Sequence, residues 1–289
     1  MTTAPRKLSR VFSDDVPVII MRDFAQDPVL AHSHPWMELV IIVAGGGVHT
    51  TEGGEYPIVA GDVFVISGDR SHGYHATRGL VLTNVLFHPE RMGLPSMDVG
   101  SLSGYHALFT LEPRYRDRHR FESRLRLGTQ QLAHVRSLVA TLDDELRAQE
   151  PGYRFMARSV LMQLIGYLSR CYSREQAPEA ASLLRIGETI SYIEENYAQP
   201  ITLAELQDVA HMSKSGLLRA FRQALDSSPI DYLIRLRISR AAELLSQGDL
   251  SVTEVAFRVG FSDSNYFARQ FRKVMGESAR EYRSGQRRA

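Results

Sequence analysis

Three histidines and a glutamate near the start of the chain have the types and spacing for chemistry: His32-x-His34-x3-Glu38, with His72 further on. His32, His34 and Glu38 carry even numbers, so on an extended strand they share one face, and the apolar Leu39 and Ile41 point to the other. Imidazoles and a carboxylate form a reasonable divalent-metal set, which would use His32, His34, Glu38 and His72. The same groups equally suit a polyhydroxylated ligand, held by charge-assisted hydrogen bonds with Trp36 as an aromatic platform. His49, Tyr74, His75 and His88 receive no role from their spacing.

A second group lies near the end of the chain. Lys214, Ser215, Leu218, Arg219 and Arg222 occupy one helical segment, and Ser264, Asn265, Arg269, Arg272 and Lys273 another. Arginine can bond guanine in bidentate fashion and asparagine can bond adenine, while Leu218 can meet a thymine methyl. Arg222, Arg272 and Lys273 come later in their helices, where gripping phosphates is the expected role. From Met212 to Ala289 the chain has 14 Lys and Arg against 8 Asp and Glu, although the whole chain carries only +1. A basic end on a near-neutral chain is the electrostatic footprint of a polyanion partner.

The elements that must position these residues show in the periodicity. From about Val18 to His88, short runs punctuated by Gly (Glu38–Val43, Val48–Thr51, Asp62–Ile66, Leu80–Phe87) read as an antiparallel sheet or small barrel. A further strand is expected near Ala107–Leu111. From Gly128 the period becomes helical. Leu132, Val135, Leu138, Leu142 and Leu146 predict one helix and Leu161, Leu164, Ile165 and Leu168 a second, split by Pro151-Gly152. Residues 173–182 are polar and contain Pro178, which reads as linker. Helical signals resume at Leu183.

The last region contains an internal repeat. Thr202-x-x-Glu205 and Ser251-x-x-Glu254 are capping boxes 49 residues apart, each opening a short apolar helix. Turns follow at Ala210-His211-Met212 and Val259-Gly260-Phe261, then second helices whose buried face is Leu217 and Phe221 in one copy and Phe267 and Phe271 in the other. Helix, tight turn and second helix is the helix-turn-helix design, whose second helix enters the major groove. Ser228-Pro229 starts a connecting helix with the stripe Ile234, Ile238, Ala241 and Leu245, a rod of about 25 Å. Such a rod can hold two reader helices near the ~34 Å of one DNA turn.

ISRAAELL…SVTEVAFRVGFSDSNYFARQFRKVMGESAREYR, from Ile238 to Arg283, closely resembles the signature of the AraC/XylS transcription regulators. The resemblance runs from about Ile186 to Arg283. It departs at Ala279, where Pro is usual, and at Gly216, which weakens the first reader helix by about 1 kcal/mol relative to Ala. It implies base contact by Arg219 and Arg269. The spacing around His32–Gly45 and Gly61–His72 resembles the two motifs of the cupin barrel. There Ser67 and Asp69 replace the usual Pro and Gly and Ala76 the terminal Asn, departures that argue against an enzymatic barrel. HSHPWMELVIIVAGGGVHT and LTNVLFHPERM are similar to the rhamnose-operon regulators of the family. That likeness implies a sugar effector at His32, His34, Trp36, Glu38 and His72, homodimerisation through the two middle helices, and RNA polymerase contact at Glu254 and Asp263. Both acidic residues also sit where helix capping would use them.

The expected fold is therefore α+β in two domains. Residues 1–172 form a cupin-like effector-binding and dimerisation domain (barrel about 18–127, helices about 128–172), residues 173–185 a linker, and residues 186–289 a DNA-binding domain. Its helix-turn-helix units lie at about 203–224 and 252–273. The expected function is a non-enzymatic, ligand-responsive activator of carbohydrate-use genes that binds an operator in duplex DNA and requires no cofactor. The alternative is a metal-binding cupin, enzyme or sensor, fused to a DNA-binding module. The longest apolar run, Leu39 to Ala44, is far short of the roughly 18 residues of a membrane span. The single cysteine, Cys171, can form no internal disulfide and lies in an apolar stripe, which reads as buried filler in a cytoplasmic protein.

Overall fold

The computed structural model describes residues 16–68, 70–92, 98–116, 125–174, 178–248 and 250–286. The chain divides into two compact units, Met1–Gly187 and Glu188–Ala289.

The first unit is built on seven antiparallel strands: β1 (Val18–Ala25), β2 (Val29–His32), β3 (Met37–Thr51), β4 (Gly54–Val59), β5 (Asp62–Ile66), β6 (His72–Phe87) and β7 (Leu125–Arg126). Two runs expected as separate strands, Glu38–Val43 and Val48–Thr51, are the two ends of β3. Strands β3 and β6 pair along nearly their whole length, but the register slips between Ile42 and Val48. There the sheet folds over. Gly45 has φ +69°, and a Cβ on it would lie 2.0 Å from the Gly79 carbonyl oxygen, so the close crossing requires glycine. One half of the sheet contains β1, the ends of β6 and β3, and β5; the other contains β2, β4 and the remaining ends. Val40, Ile42, Phe64, Ile66, Leu80 and Leu82 from the first half pack with Ile58 and Tyr74 from the second.

Helix α1 (Ser103–Tyr105), a π-helical segment (His106–Leu111) and α2 (Glu112–Arg116) follow the sheet. The strand expected at Ala107–Leu111 is thus a wide helical turn, closed by the Glu112 N–H donating to the Ala107 carbonyl. Ala107, Leu108, Phe109 and Leu111 are all buried, and a short apolar run of that kind has no period that separates strand from buried helix. Helices α3 (Thr129–Ala148) and α4 (Tyr153–Tyr172) then pack together, with Val135, Leu138 and Leu142 meeting the stripe that includes Leu161, Leu164 and Leu168. Arg136 on α3 donates to Asp23 in the β1 bulge at 2.8 Å, tying helix to sheet.

Residues 178–185, assigned to the linker by composition, are helical: α5 runs Pro178–Asn196. Proline is tolerated in a first helical turn, and Ala180, Leu183, Ile186, Ile190 and Ile193 form a fully buried stripe one turn longer than its start at Leu183 indicated. Among the described residues, six helices complete the second unit: α6 (Leu203–Ala210), α7 (Lys214–Leu225), α8 (Pro229–Gln247), α9 (Val252–Arg258), α10 (Ser264–Met275) and α11 (Ala279–Gln286). Both anticipated capping boxes form, as does a third at Ser278 and Glu281. Ala279 falls at the first position of α11, where the usual Pro and an Ala are both accommodated.

Candidate functional site

In the first unit the structure brings the five residues singled out in the sequence into one cluster. The His34 Nε2 and Glu38 Oε2 atoms are 2.6 Å apart, and His72 Nε2 lies 3.6 Å from the same oxygen. His32 packs on His72 with ring centroids 4.3 Å apart, and Trp36 stacks on His34 at 4.8 Å and 6°. Only Glu38 reaches the cluster from within a long strand as its parity predicts. His34 lies between β2 and β3, and His32 and His72 are paired across β2 and β6.

The imidazoles are oriented from behind. Nδ1 of His32, His34 and His72 faces the carbonyl oxygens of Leu30, Trp36 and Arg70, respectively. A carbonyl only accepts, so each Nδ1 is a donor there, and the Nε2 atoms of His34 and His72 face the Glu38 carboxyl. Burial pushes the His72 imidazole down to about 4, against the raising effect of Glu38. It is therefore neutral at physiological pH, with an Nε2 lone pair available.

Spacing missed the rest of the site. His49 stacks on Phe64 at 4.7 Å and lies 5.2 Å from the Tyr74 ring. Thr51, Ser67 and Arg70 line, with His49 and His72, a narrow cleft with room for about one water molecule. His49 is odd-numbered, but the slips in β3 before it exchange the two faces of the strand, so parity from Glu38 cannot find it. His75 instead pairs with Glu55 at an exposed site. Asp69 lies outside the described residues.

In the second unit, each helix-turn-helix pair has its own core. Leu206, Leu217 and Phe221 are fully buried in the first; Val255, Phe267 and Phe271 are fully buried in the second. On α7, Lys214, Ser215, Arg219 and Arg222 are exposed and Leu218 is half-buried. On α10, Asn265, Arg269, Arg272 and Lys273 are exposed and Ser264 is half-buried. Each reader helix thus presents a polar, largely cationic face. The first turn passes through His211 at φ +51°, the second through Gly260 at φ +93°. Glu254 accepts from the Ser251 N–H at 2.7 Å, and Asp263 accepts from the N–H groups of Asn265 and Tyr266, so both acidic residues cap helices. The Ser251 hydroxyl and N–H hold the Glu254 carboxyl below its ordinary range.

Comparison with known families matches residues 19–165 to the AraC-like ligand binding domain. The chain belongs to the AraC family of transcription regulators. Its residues 206–285 match a helix-turn-helix domain, spanning most of both reader units. Among curated relatives, the HTH-type transcriptional activator RhaR of Mannheimia succiniciproducens is 28% identical over 277 residues, covering 96% of this chain and 95% of the relative. RhaR of Escherichia coli is 29% identical over 272 residues, covering 94% and 93%. A solved AraC-type regulator from Chromobacterium violaceum is 29% identical, covers 37% of this chain and 96% of that one, and superposes with a TM-score of 0.35. AraC-family regulators bind DNA and small-molecule effectors, and this chain is such a regulator and not an enzyme. Among the described residues no helix is long and apolar enough to cross a membrane.

Proposed function

We propose that this AraC-family chain is a cytoplasmic, sugar-responsive activator of carbohydrate-use genes, with residues 1–172 sensing and residues 186–289 binding the operator. The observation that carries the sensing half is the histidine cluster. His32, His34, Trp36, Glu38 and His72 offer oriented imidazoles, a carboxylate and an aromatic face, groups suited to the hydroxyls and the apolar face of a sugar. The names of the RhaR relatives, transcriptional activators, support activation. Arg219 and Arg269 read bases with help from Lys214, Ser215, Leu218, Ser264 and Asn265, while Arg222, Arg272 and Lys273 hold phosphates. Glu254 and Asp263, beyond capping, face RNA polymerase. Two copies pair through α3 and α4 to match a two-fold operator. The sugar shifts the regulator between arrangements by binding one of them more tightly.

The test is thermal denaturation across pentoses, deoxyhexoses and uronic acids. One sugar is expected to give a saturable rise, about 2.7 kcal/mol at a hundred times its Kd, and to change DNA affinity. A panel that changes neither stability nor DNA affinity ends the sugar reading.

A metal-assisted site is the second reading. Donor atoms of His34, Glu38 and His72 lie within 4.8 Å of one another, close enough to converge on one divalent ion with His32 beside them. Such an ion would supply a Lewis-acidic anchor for sugar hydroxyls. Elemental analysis of purified protein decides: stoichiometric Zn, Mn or Fe whose removal abolishes sugar binding favours it, and metal-free protein with full sugar response rejects it.

A further inference from the structure

We infer that Tyr266 is a positioning residue for base recognition, its ring holding the Arg269 side chain in a set orientation before DNA arrives. The inference rests on the reading of Arg269 as a base contact. On α10 the two residues are three apart and therefore neighbours on the helix surface. The Arg269 guanidinium carbon sits 5.8 Å from the centre of the Tyr266 ring, within cation–π range. Among the described residues Arg269 forms no ion pair, so the ring is the group that orients it.

Asp263 caps the start of α10 by accepting from the Tyr266 N–H at 3.2 Å, and the Tyr266 ring lies 6.0 Å from that of the buried Phe261. Arg237 of α8 packs over Phe261 at 5.7 Å and donates to the carbonyls of Tyr197 and Gln199. A continuous series, Arg237–Phe261–Tyr266–Arg269, thus leads from the connecting helix to the reader face. Tyr266 is 38% exposed, so its ring lies at the surface beside Arg269.

The first unit supplies the contrast. Fifty residues earlier, Arg219 stands where Arg269 does, and the position of Tyr266 is taken by Gly216. Arg219 has no ring three residues before it. The second reader is therefore preorganised at its arginine, and the first adapts. Preorganisation saves the cost of ordering a long side chain on binding, and sharpens the choice of base by removing alternative poses.

The experiment selects binding sites from a random-sequence duplex library with the full-length protein. It then measures affinity for the selected duplex and a scrambled one with Y266F, Y266L, R269A and the double variant Y266L/R269A. Arg269→Ala is expected to erase preference at particular bases. Tyr266→Leu should blur preference at the same bases and weaken the selected duplex by about 2- to 5-fold. It should leave the scrambled duplex unchanged and add nothing when Arg269 is already Ala. Tyr266→Phe, which keeps the ring, should behave as wild type. The pairing is overturned if Y266L retains full preference, if it loses the scrambled duplex equally, or if its effect adds to that of R269A. If R269A itself leaves site choice unchanged, the base-reading role of Arg269 fails, and the inference fails with it by a separate route.

Discussion

His72 couples the histidine cluster to solution pH. Its imidazole takes up a proton at about 4 in the folded chain and near 6.5 when unfolded. Between those values the unfolded state binds more protons, so stability is full above pH 6.5 and declines as pH falls toward 4, by up to about 3 kcal/mol. Urea midpoints of the first unit at pH 7 and pH 5 should differ accordingly, and His72→Gln should flatten the difference. At Glu254 the two roles separate cleanly. Gln also serves in a capping box, so Glu254→Gln should keep the α9 cap, the melting temperature and DNA affinity. If the carboxylate meets polymerase, the same variant lowers transcription several-fold in a reconstituted assay; unchanged transcription assigns Glu254 to capping alone. Residue types made the His32–His72 set and the reader faces legible in the sequence. His49 and Tyr266 were not, because one depends on strand slips and the other on a ring contact.

Among the elements, the fold-over of β3 and β6 is the least tolerant feature of the first unit. Gly45→Ala introduces a Cβ against the Gly79 carbonyl in left-handed backbone and should cost at least about 2 kcal/mol. Gly166, inside α4 with open space within 4 Å of where a methyl would stand, is the matched control; Gly166→Ala should be neutral or stabilising by up to about 1 kcal/mol. Chemical denaturation of the two variants side by side checks both. Helices α3, α4 and α8 were legible from their amphipathic stripes, α6 and α9 from their capping boxes, and α7 and α10 from their place after the turns of the repeat. The π-helical turn at His106–Leu111 was not, since nearly all of it is buried and it shows no polar face. The first turn of α5 was hidden because polar composition around Pro178 outweighed a stripe that begins with a small residue, Ala180.

At the scale of the whole molecule, charge and chemistry are divided between the two units. The basic surplus after Met212 predicts an affinity for DNA that falls steeply with salt, roughly 10³-fold or more between 50 and 200 mM if six or more phosphates are contacted. Arg272→Ala should lower the slope of log affinity against log salt by about 1 and leave base preference unchanged, as titration at several salt concentrations would show. The two-unit organisation was readable from the change of period and the repeat of capping boxes. Cys171 adds a practical consequence. It is the one thiol in the chain, buried in α4 and pushed above its ordinary range by that burial, so its reactive thiolate is scarce in the native state. Labelling by a thiol reagent therefore requires the first unit to open, and the second unit carries no cysteine to confuse the signal. The labelling rate is a native clock for the opening of the sensing half alone. A ligand seated there should slow it even while the DNA-binding half is left unchanged.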